Sequence, residues 1–243
     1  MSPNLEMQVN ETQAGLYTVT YGRIKAPLDV QEAAFAANGL EIVSPAQVGF
    51  LRHKEGKGTF NPYSRTNADV FYDDRTDRVV IVPNRELSNK LGIANLVDAH
   101  RQGREYVIPE NQRDGVYAMV DEMLRKGTAF TASYGQTNIP VSEFGQIELT
   151  SKLFSDEGLA IKAQDYGDWL NGQGIGIQSM SFDDEGYAKS QKGPYANRLS
   201  VYGRDYFFIA LGICRLLDLN LYGAFGVRFE KTAAKAARKS RNN

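Results

Sequence analysis

The stretch YFFIALGICRLLDLNLYGAFGVRF, residues Tyr206–Phe229, is the most apolar run in this chain of 243 residues. Arg215 and Asp218 interrupt it, so it falls short of the roughly 20 consecutive apolar residues that a membrane-spanning helix needs. A run of this kind in a water-exposed chain is expected to form the core. We therefore predict that the rest of the fold is arranged around this segment.

Two elements are predicted within and around the apolar run. From Asn197 to about Asp218 the apolar residues occupy most sides of a helical projection, which is typical of a buried helix. After Asn220 the chain reads LYGAFGVRFE, and its apolar residues alternate toward one face. The sequence thus predicts a buried C-terminal helix followed by a core strand.

Working outward, the rest of the chain mixes strand and helix patterns. Leu16–Arg23 is rich in β-forming residues, Asp69–Pro83 has the pattern of a β-hairpin, and Pro109–Gly127 has that of an amphipathic helix. This mixture predicts an α+β fold with a mixed or antiparallel sheet packed against several helices. We expect a polar N-terminal arm at 1–15, a single domain at 16–230 and a basic C-terminal tail at 231–243.

Composition narrows the classes of function. The chain has 28 basic and 29 acidic residues, so only local patches could attract a polyanion or a membrane. A single cysteine, Cys214, excludes an internal disulfide, and with two histidines it provides no zinc-finger spacing. The N-terminus has no basic leader followed by an apolar block. We expect a soluble protein in the reducing cytoplasm, with no cofactor, no metal and no membrane partner.

The first local basic patch follows the second predicted helix. The segment RHKEGKGTFNPYSR has several cations against one acid, with two aromatic residues among its glycines. The candidate phosphate-contacting residues are Arg52, His53, Lys54, Lys57 and Arg65. One interpretation is a loop that contacts phosphates and stacks a ring on a base. The alternative is a solvated surface loop whose aromatic residues belong to the core.

The second basic patch is the C-terminal tail, KTAAKAARKSRNN. After Glu230 no acid opposes its cations, and its alanines favour a helix that could form on contact with a polyanion. The candidate nucleic-acid-binding residues in the tail are Lys231, Lys235, Arg238, Lys239 and Arg241. The alternative is a basic terminus that serves solubility alone.

The hairpin Asp69–Pro83, DVFYDDRTDRVVIVP, resembles the core of the PD-(D/E)xK nucleases. In that family an Asp on one strand and a Glu-x-Lys on the next bind a metal and orient water. The resemblance covers about fifteen residues and stops at Val82–Arg85, where this chain has neither the second carboxylate nor the lysine. The acids Asp73, Asp74 and Asp77 are also explained as turn formers.

Three functional hypotheses follow from these patterns. The first is a nucleic-acid-associated protein whose basic loop and tail contact the phosphate backbone without sequence preference. The second is a structural subunit of a multi-chain assembly such as a virion or filament, with other protein chains or copies of itself as partners. The third is a metal-dependent nuclease built on the Asp69 hairpin. No catalytic residues are assigned, because no Ser/His/Asp or Cys/His arrangement can be assembled from the sequence, and we lean against an enzyme.

Overall fold

The computed structural model describes residues 7–55, 64–76, 78–201, 210–214 and 223–231. The helices are Leu28–Ala37 (α1), Pro45–Glu55 (α2), Glu86–Leu91 (α3), Ile93–Arg101 (α4), Glu110–Lys126 (α5), Glu148–Leu153 (α6), Ala163–Gly172 (α7) and Glu185–Ser190 (α8). The strands are Val9–Ala14 (β1), Tyr17–Lys25 (β2), Glu41–Ile42 (β3), Ser64–Asp73 (β4), Arg78–Val82 (β5), Tyr106–Val107 (β6), Phe130–Ala132 (β7), Gln136–Pro140 (β8), Ile177–Ser181 (β9), Tyr195–Val201 (β10), Ala210–Cys214 (β11) and Gly223–Lys231 (β12). The predicted α+β class is confirmed.

These strands join into one mixed sheet. Its main order is β1-β2-β12-β4-β10-β11-β9-β8, with β5 and β7 continuing from β4, β3 beside β12 and β6 beside β10. Most neighbours are antiparallel, while β9 with β11 and β12 with β4 are parallel. The sheet is therefore mixed, as expected, and its long-range pairings bring distant parts of the chain together.

The hairpin of β4 and β5 is buried on both faces of the sheet. Val79 and Ile81 point into one hydrophobic cluster with residues of α2 and α7, whereas Val80 and Val82 point into a second cluster with residues of α1, α4 and α5. Successive strand residues point to opposite faces, so one short strand serves both cores. The predicted hairpin is confirmed.

The prediction of a buried helix from Asn197 to Asp218 is wrong. Tyr195–Val201 and Ala210–Cys214 are instead strands, paired antiparallel with Arg198 opposite Cys214 and Val201 opposite Leu211. A segment that is apolar on most sides fits a buried helix and a strand covered on both faces equally well. Residues 202–209 and 215–222 of the predicted helix and its exit lie outside the described residues.

The predicted core strand at the end of the chain is confirmed. β12 lies between β2 and β4 and pairs with β2 along its whole length, from Gly223 opposite Lys25 to Lys231 opposite Tyr17. At the other terminus, Val9–Ala14 of the predicted polar arm forms β1 and pairs with β2. Both ends of the described chain are thus tied into the same edge region of the sheet.

Local sequence signals account for most of the helices. The amphipathic helix is confirmed as α5, with Val116, Val120 and Met123 buried and Gly127 ending it in a left-handed conformation at φ 71°.

Among the described residues, no helix is long and apolar enough to cross a membrane.

Candidate functional site

A largely buried ionic network connects β4, β10 and α1, and its Glu32 side chain is 15% exposed. Arg198 and Asp69 lie opposite each other on adjacent strands, and both side chains are 0% exposed. Arg198 Nε is 3.4 Å from Asp69 Oδ1, close enough for an ion pair although the two atoms are not aligned as a hydrogen bond. Arg198 Nη2 lies 3.2 Å from Glu32 Oε1 and donates to Ser88 Oγ at 2.9 Å. We call these four residues the Arg198 framework.

The position of Asp69 in this framework excludes the expected nuclease site. Its Oδ2 accepts a hydrogen bond from the Ser88 backbone N–H at 2.8 Å. Burial raises the pKa of the Asp69 carboxyl, although the positive charge of Arg198 acts to lower it. Val82 lies opposite Asp69 on the next strand, where a nuclease would need a second acidic group. Asp69 is therefore a structural partner of an arginine and cannot reach a metal from solvent.

Two of the candidate phosphate-contacting residues are also buried. Arg52 and Arg65 are both 0% exposed. Arg52 Nη1 donates to Tyr166 Oη at 2.9 Å, and Arg65 Nη1 donates to the Ala26 carbonyl at 3.0 Å. These guanidinium groups hold secondary-structure elements together and are not available to a phosphate backbone, which corrects their assignment to a nucleic-acid site.

The remaining candidates divide between the described and undescribed parts of the chain. Lys57, Lys235, Arg238, Lys239 and Arg241 lie outside the described residues. His53, Lys54 and Lys231 line one open cleft of about 450 Å³ between the end of α2, the β1–β2 turn and residues 157–165. We call it the α2 cleft. One end of the predicted basic loop and the first residue of the predicted tail therefore meet on one surface.

The α2 cleft has an aromatic base and a mixed-charge rim. Tyr17, Phe50 and Phe229 pack edge to face, with ring centroids 5.9 to 6.0 Å apart. Glu157 and Asp165 line the cleft together with the three basic residues, so its rim contains both signs of charge. A volume of this size is within the range of clefts that hold small ligands or the side chains of a partner.

His53 titrates below its ordinary range in this cleft. Burial lowers the pKa of its imidazole and the neighbouring Lys54 lowers it further, while Asp165 and Asp168 act in the opposite direction. The ring is therefore mainly neutral at neutral pH, and its Nδ1 is buried without a hydrogen-bond partner. The cleft presents a neutral imidazole beside two lysines rather than a third cation.

A second, smaller pocket of about 220 Å³ lies at the far end of the β4–β5 hairpin. Its inner wall is the cross-strand pair Tyr72 and Tyr195, whose rings stack 4.3 Å apart. Tyr195 Oη donates to Asp183 Oδ2 at 2.9 Å, and Tyr72 Oη accepts from the Asp183 backbone N–H at 2.9 Å. Both hydroxyl groups are used internally, which indicates a structural role for this pair.

Sequence reasoning missed most of the α2 cleft. Leu16, Tyr17 and the segment 157–161 were not singled out, because nothing in a linear pattern places residue 16 beside residue 158. Leu16 is 71% exposed although it is large and apolar, and no sequence pattern announced this exposure. Within the described ranges, no group of three or more His, Cys, Asp or Glu side chains could hold a metal ion.

Comparison with known proteins defines the class of fold. No protein-family model and no curated protein matches this chain. A solved structure described as "Accommodation of massive sequence variation in Nanoarchaeota by the C-type lectin fold" is similar to it, with a TM-score of 0.52 and 13% identical residues. The similarity covers 89% of this chain and 99% of that one. At this identity the likeness concerns the fold alone, so the chain is an α+β protein with a fold similar to that of C-type lectins.

The prediction that this chain is a nucleic-acid-associated protein is wrong. The likeness to a C-type lectin fold overturns it. The nuclease alternative fails at Asp69, which is buried beside Arg198 and faces Val82, and the alternative of a virion or filament subunit receives no support from the comparison. The geometry agrees, since Arg52 and Arg65 are buried and the α2 cleft includes two carboxylates that repel phosphates. Local counts of basic residues were misleading because they do not distinguish buried guanidinium groups from exposed ones.

Proposed function

We propose that this chain is a binding protein in which a fixed internal framework supports a variable recognition surface, with the α2 cleft as the ligand site. The observation that carries this proposal is the contrast between two sets of charges. Arg198 and Asp69 of the framework are fully buried and form an ion pair, whereas Lys54, Glu157 and Lys231 at the cleft take part in no ion pair with other described residues. A cytoplasmic location stays a prediction.

The lining of the cleft favours binding over catalysis. Among the described residues that line it there is no serine, threonine or cysteine that could act as a nucleophile beside His53. What it does contain is an aromatic base, an exposed apolar side chain and unpaired charges, and these are the usual components of a recognition surface.

The related structure supports the idea of a surface that varies over a constant framework. Its description states that a C-type lectin fold accommodates massive sequence variation in Nanoarchaeota. A fold can tolerate such variation only where exposed positions contribute little to stability, because surface substitutions usually change it by about 0.5 kcal/mol or less. We extend this division between framework and surface to the present chain.

Two libraries of equal size test the proposal. The first randomises four positions at the rim of the cleft: Leu16, Lys54, Glu157 and Lys231. The second randomises the four positions of the Arg198 framework: Glu32, Asp69, Ser88 and Arg198. Both libraries are displayed on the surface of cells, and folding is scored as the resistance of the displayed protein to protease. The rim library is then selected for binding to a panel of immobilised proteins and glycans.

We expect most members of the rim library to fold and a small fraction to bind a panel member specifically. In the framework library we expect few folded members, because most combinations place polar or charged side chains at buried positions without matching partners. Equal loss of folding in the two libraries contradicts the proposal, as does a rim library that folds but yields no binder to any target.

A further inference from the structure

The α2 cleft receives charges of opposite sign from different elements. Lys54 stands near the end of α2 and Lys231 at the end of β12, whereas Glu157 precedes α7 and Asp165 lies in its first turn. Asp165 Oδ2 accepts a hydrogen bond from the Lys162 backbone N–H at 2.9 Å and stays at the cleft. Positive and negative groups therefore reach the same opening from separate parts of the chain.

None of these charges is neutralised across the cleft. In the described chain, no ion pair joins Lys54 or Lys231 to Glu157 or Asp165. Lys54, Lys231 and Glu157 also form no ion pair with any other described residue. Exposed charges of this kind are hydrated in the free protein and are ready to pair with groups on a ligand. A ligand that satisfies them must carry both signs.

The part of the cleft below the charges is apolar. Phe50 is 3% exposed, Leu159 8% and Ile161 5%, and all three face the cleft. Leu16 projects at its edge and is 71% exposed. Leu16 thus extends the apolar surface that the cleft offers to a ligand.

The segment 156–161 is already shaped before any ligand arrives. Asp156 and Ile161 exchange two backbone hydrogen bonds of 3.0 and 3.1 Å, and Asp156 Oδ1 accepts from the Leu159 backbone N–H at 3.1 Å. Tyr17 Oη donates to the Gly158 carbonyl and so connects this segment to β2. A preformed cleft reduces the entropy lost on binding.

We infer that the ligand of the α2 cleft is an extended peptide segment of a partner protein, with an apolar side chain flanked by one acidic and one basic residue. The inference rests on the proposed binding function. A polyanion is repelled by Glu157 and Asp165, a polycation by Lys54 and Lys231, and a neutral sugar leaves all four charges unpaired. Peptides combine the three required features within a few residues.

Selection from a random-peptide library displayed on phage tests the inference with the full chain as the target. We expect enriched peptides with an apolar residue between an acid and a base. Synthetic copies, measured by fluorescence anisotropy, are expected to bind about tenfold more weakly to Lys54→Glu and to Glu157→Lys, because each reversal replaces an attraction by a repulsion.

Two further variants make the test specific. Lys90→Glu reverses an exposed lysine on α3, outside the cleft, and is expected to leave the dissociation constant unchanged. The double variant Lys54→Glu/Glu157→Lys keeps the net charge of the wild type. It is expected to lose the original peptide and to bind a peptide whose acid and base have been exchanged.

Two outcomes overturn the inference. One is that no enriched peptide responds to the charge reversals more than to Lys90→Glu. The other is that the wild type binds a member of a glycan array, Leu16→Asp abolishes that binding, and the charge reversals leave it unchanged. The second outcome leaves the proposed binding function in place, whereas failure of the rim and framework libraries to differ removes that function itself.

Discussion

The Arg198 framework and the α2 cleft use the same chemistry in opposite surroundings. In the framework, Arg198 and Asp69 are 0% exposed, Arg198 forms ion pairs with Asp69 and Glu32, and Ser88 is hydrogen-bonded to both Arg198 and Asp69. In the cleft, Lys54, Glu157 and Lys231 are exposed and form no ion pair within the described part of the chain. A buried charge costs several kcal/mol unless it is paired, whereas an exposed one costs little alone. Pairing therefore marks the charges that hold the fold, and its absence marks those available to a ligand.

Helix α2 contains both kinds of charge within one turn. Arg52 is 0% exposed and donates to Tyr166 Oη, whereas Lys54 is exposed at the cleft. Residues two apart on a helix point about 200° away from each other, so one side chain enters the core and the other leaves it. The same short helix thus contributes to the framework and to the candidate site.

The substitution Arg198→Met is expected to break the contrast most strongly. It leaves Asp69 without its buried partner, while Glu32 keeps Arg85 at 3.6 Å, and the expected loss is about 3 to 5 kcal/mol in the free energy of unfolding. Urea denaturation followed by circular dichroism measures this loss.

The double variant Arg198→Met/Asp69→Leu serves as its control. With both fully buried charges removed, less uncompensated charge remains, so the double variant is expected to be more stable than Arg198→Met alone. If Arg198→Met is as stable as the wild type, the network contributes nothing to the free energy of unfolding.

The pair Arg52→Met and Lys54→Met sharpens the contrast within α2. The first removes the guanidinium donor from Tyr166 in a buried site and is expected to cost about 1 to 3 kcal/mol. The second removes an exposed, unpaired cation and is expected to change the free energy of unfolding by about 0.5 kcal/mol or less. Thermal denaturation of both proteins in the same buffer gives the comparison, and equal shifts in Tm would contradict it.

The sequence predicted the elements whose pattern is local. The hairpin of β4 and β5 and helix α5 follow from alternation, helical periodicity and Gly127, all of which act within a few residues. The predicted helix after Asn197 failed because a strand covered on both faces has no alternation to read. Its burial depends on helices that lie far away in the sequence.

The candidate site was less accessible to sequence reasoning than the fold. Whether Arg52 is buried depends on Tyr166, 114 residues later in the chain. The α2 cleft likewise brings Leu16, Lys54, Gly158 and Lys231 together through β12, which pairs with β2. A basic run identifies charged residues, but only the tertiary structure decides which of them face water.

The smallest expected effect comes from His53. The unfolded chain has this imidazole at its ordinary pKa of 6.5, and the folded chain has a lower pKa because of burial. Between the two values the unfolded state binds more protons, so stability rises with pH through this window and is constant above it.

The variant His53→Gln is expected to flatten this part of the pH dependence. Because solvent screens a half-buried ring, the change should be below about 0.5 kcal/mol. Urea midpoints between about pH 5 and pH 7.5, together with an NMR titration of the His53 ring, provide the measurement. A ring that titrates above its ordinary pKa would mean that Asp165 and Asp168 outweigh burial.

The position of β12 has a consequence for how the protein is made. The hairpin of β1 and β2 reaches the rest of the sheet through β12, which ends at Lys231. β1 and β2 leave the ribosome well before β12 and must therefore wait for it before their ladder is complete. A chain that stops before Gly223 has an open edge on β2, and an unpaired edge of nine residues can pair with other chains and aggregate. Truncated products of this protein should accordingly depend on chaperones far more than the full chain does.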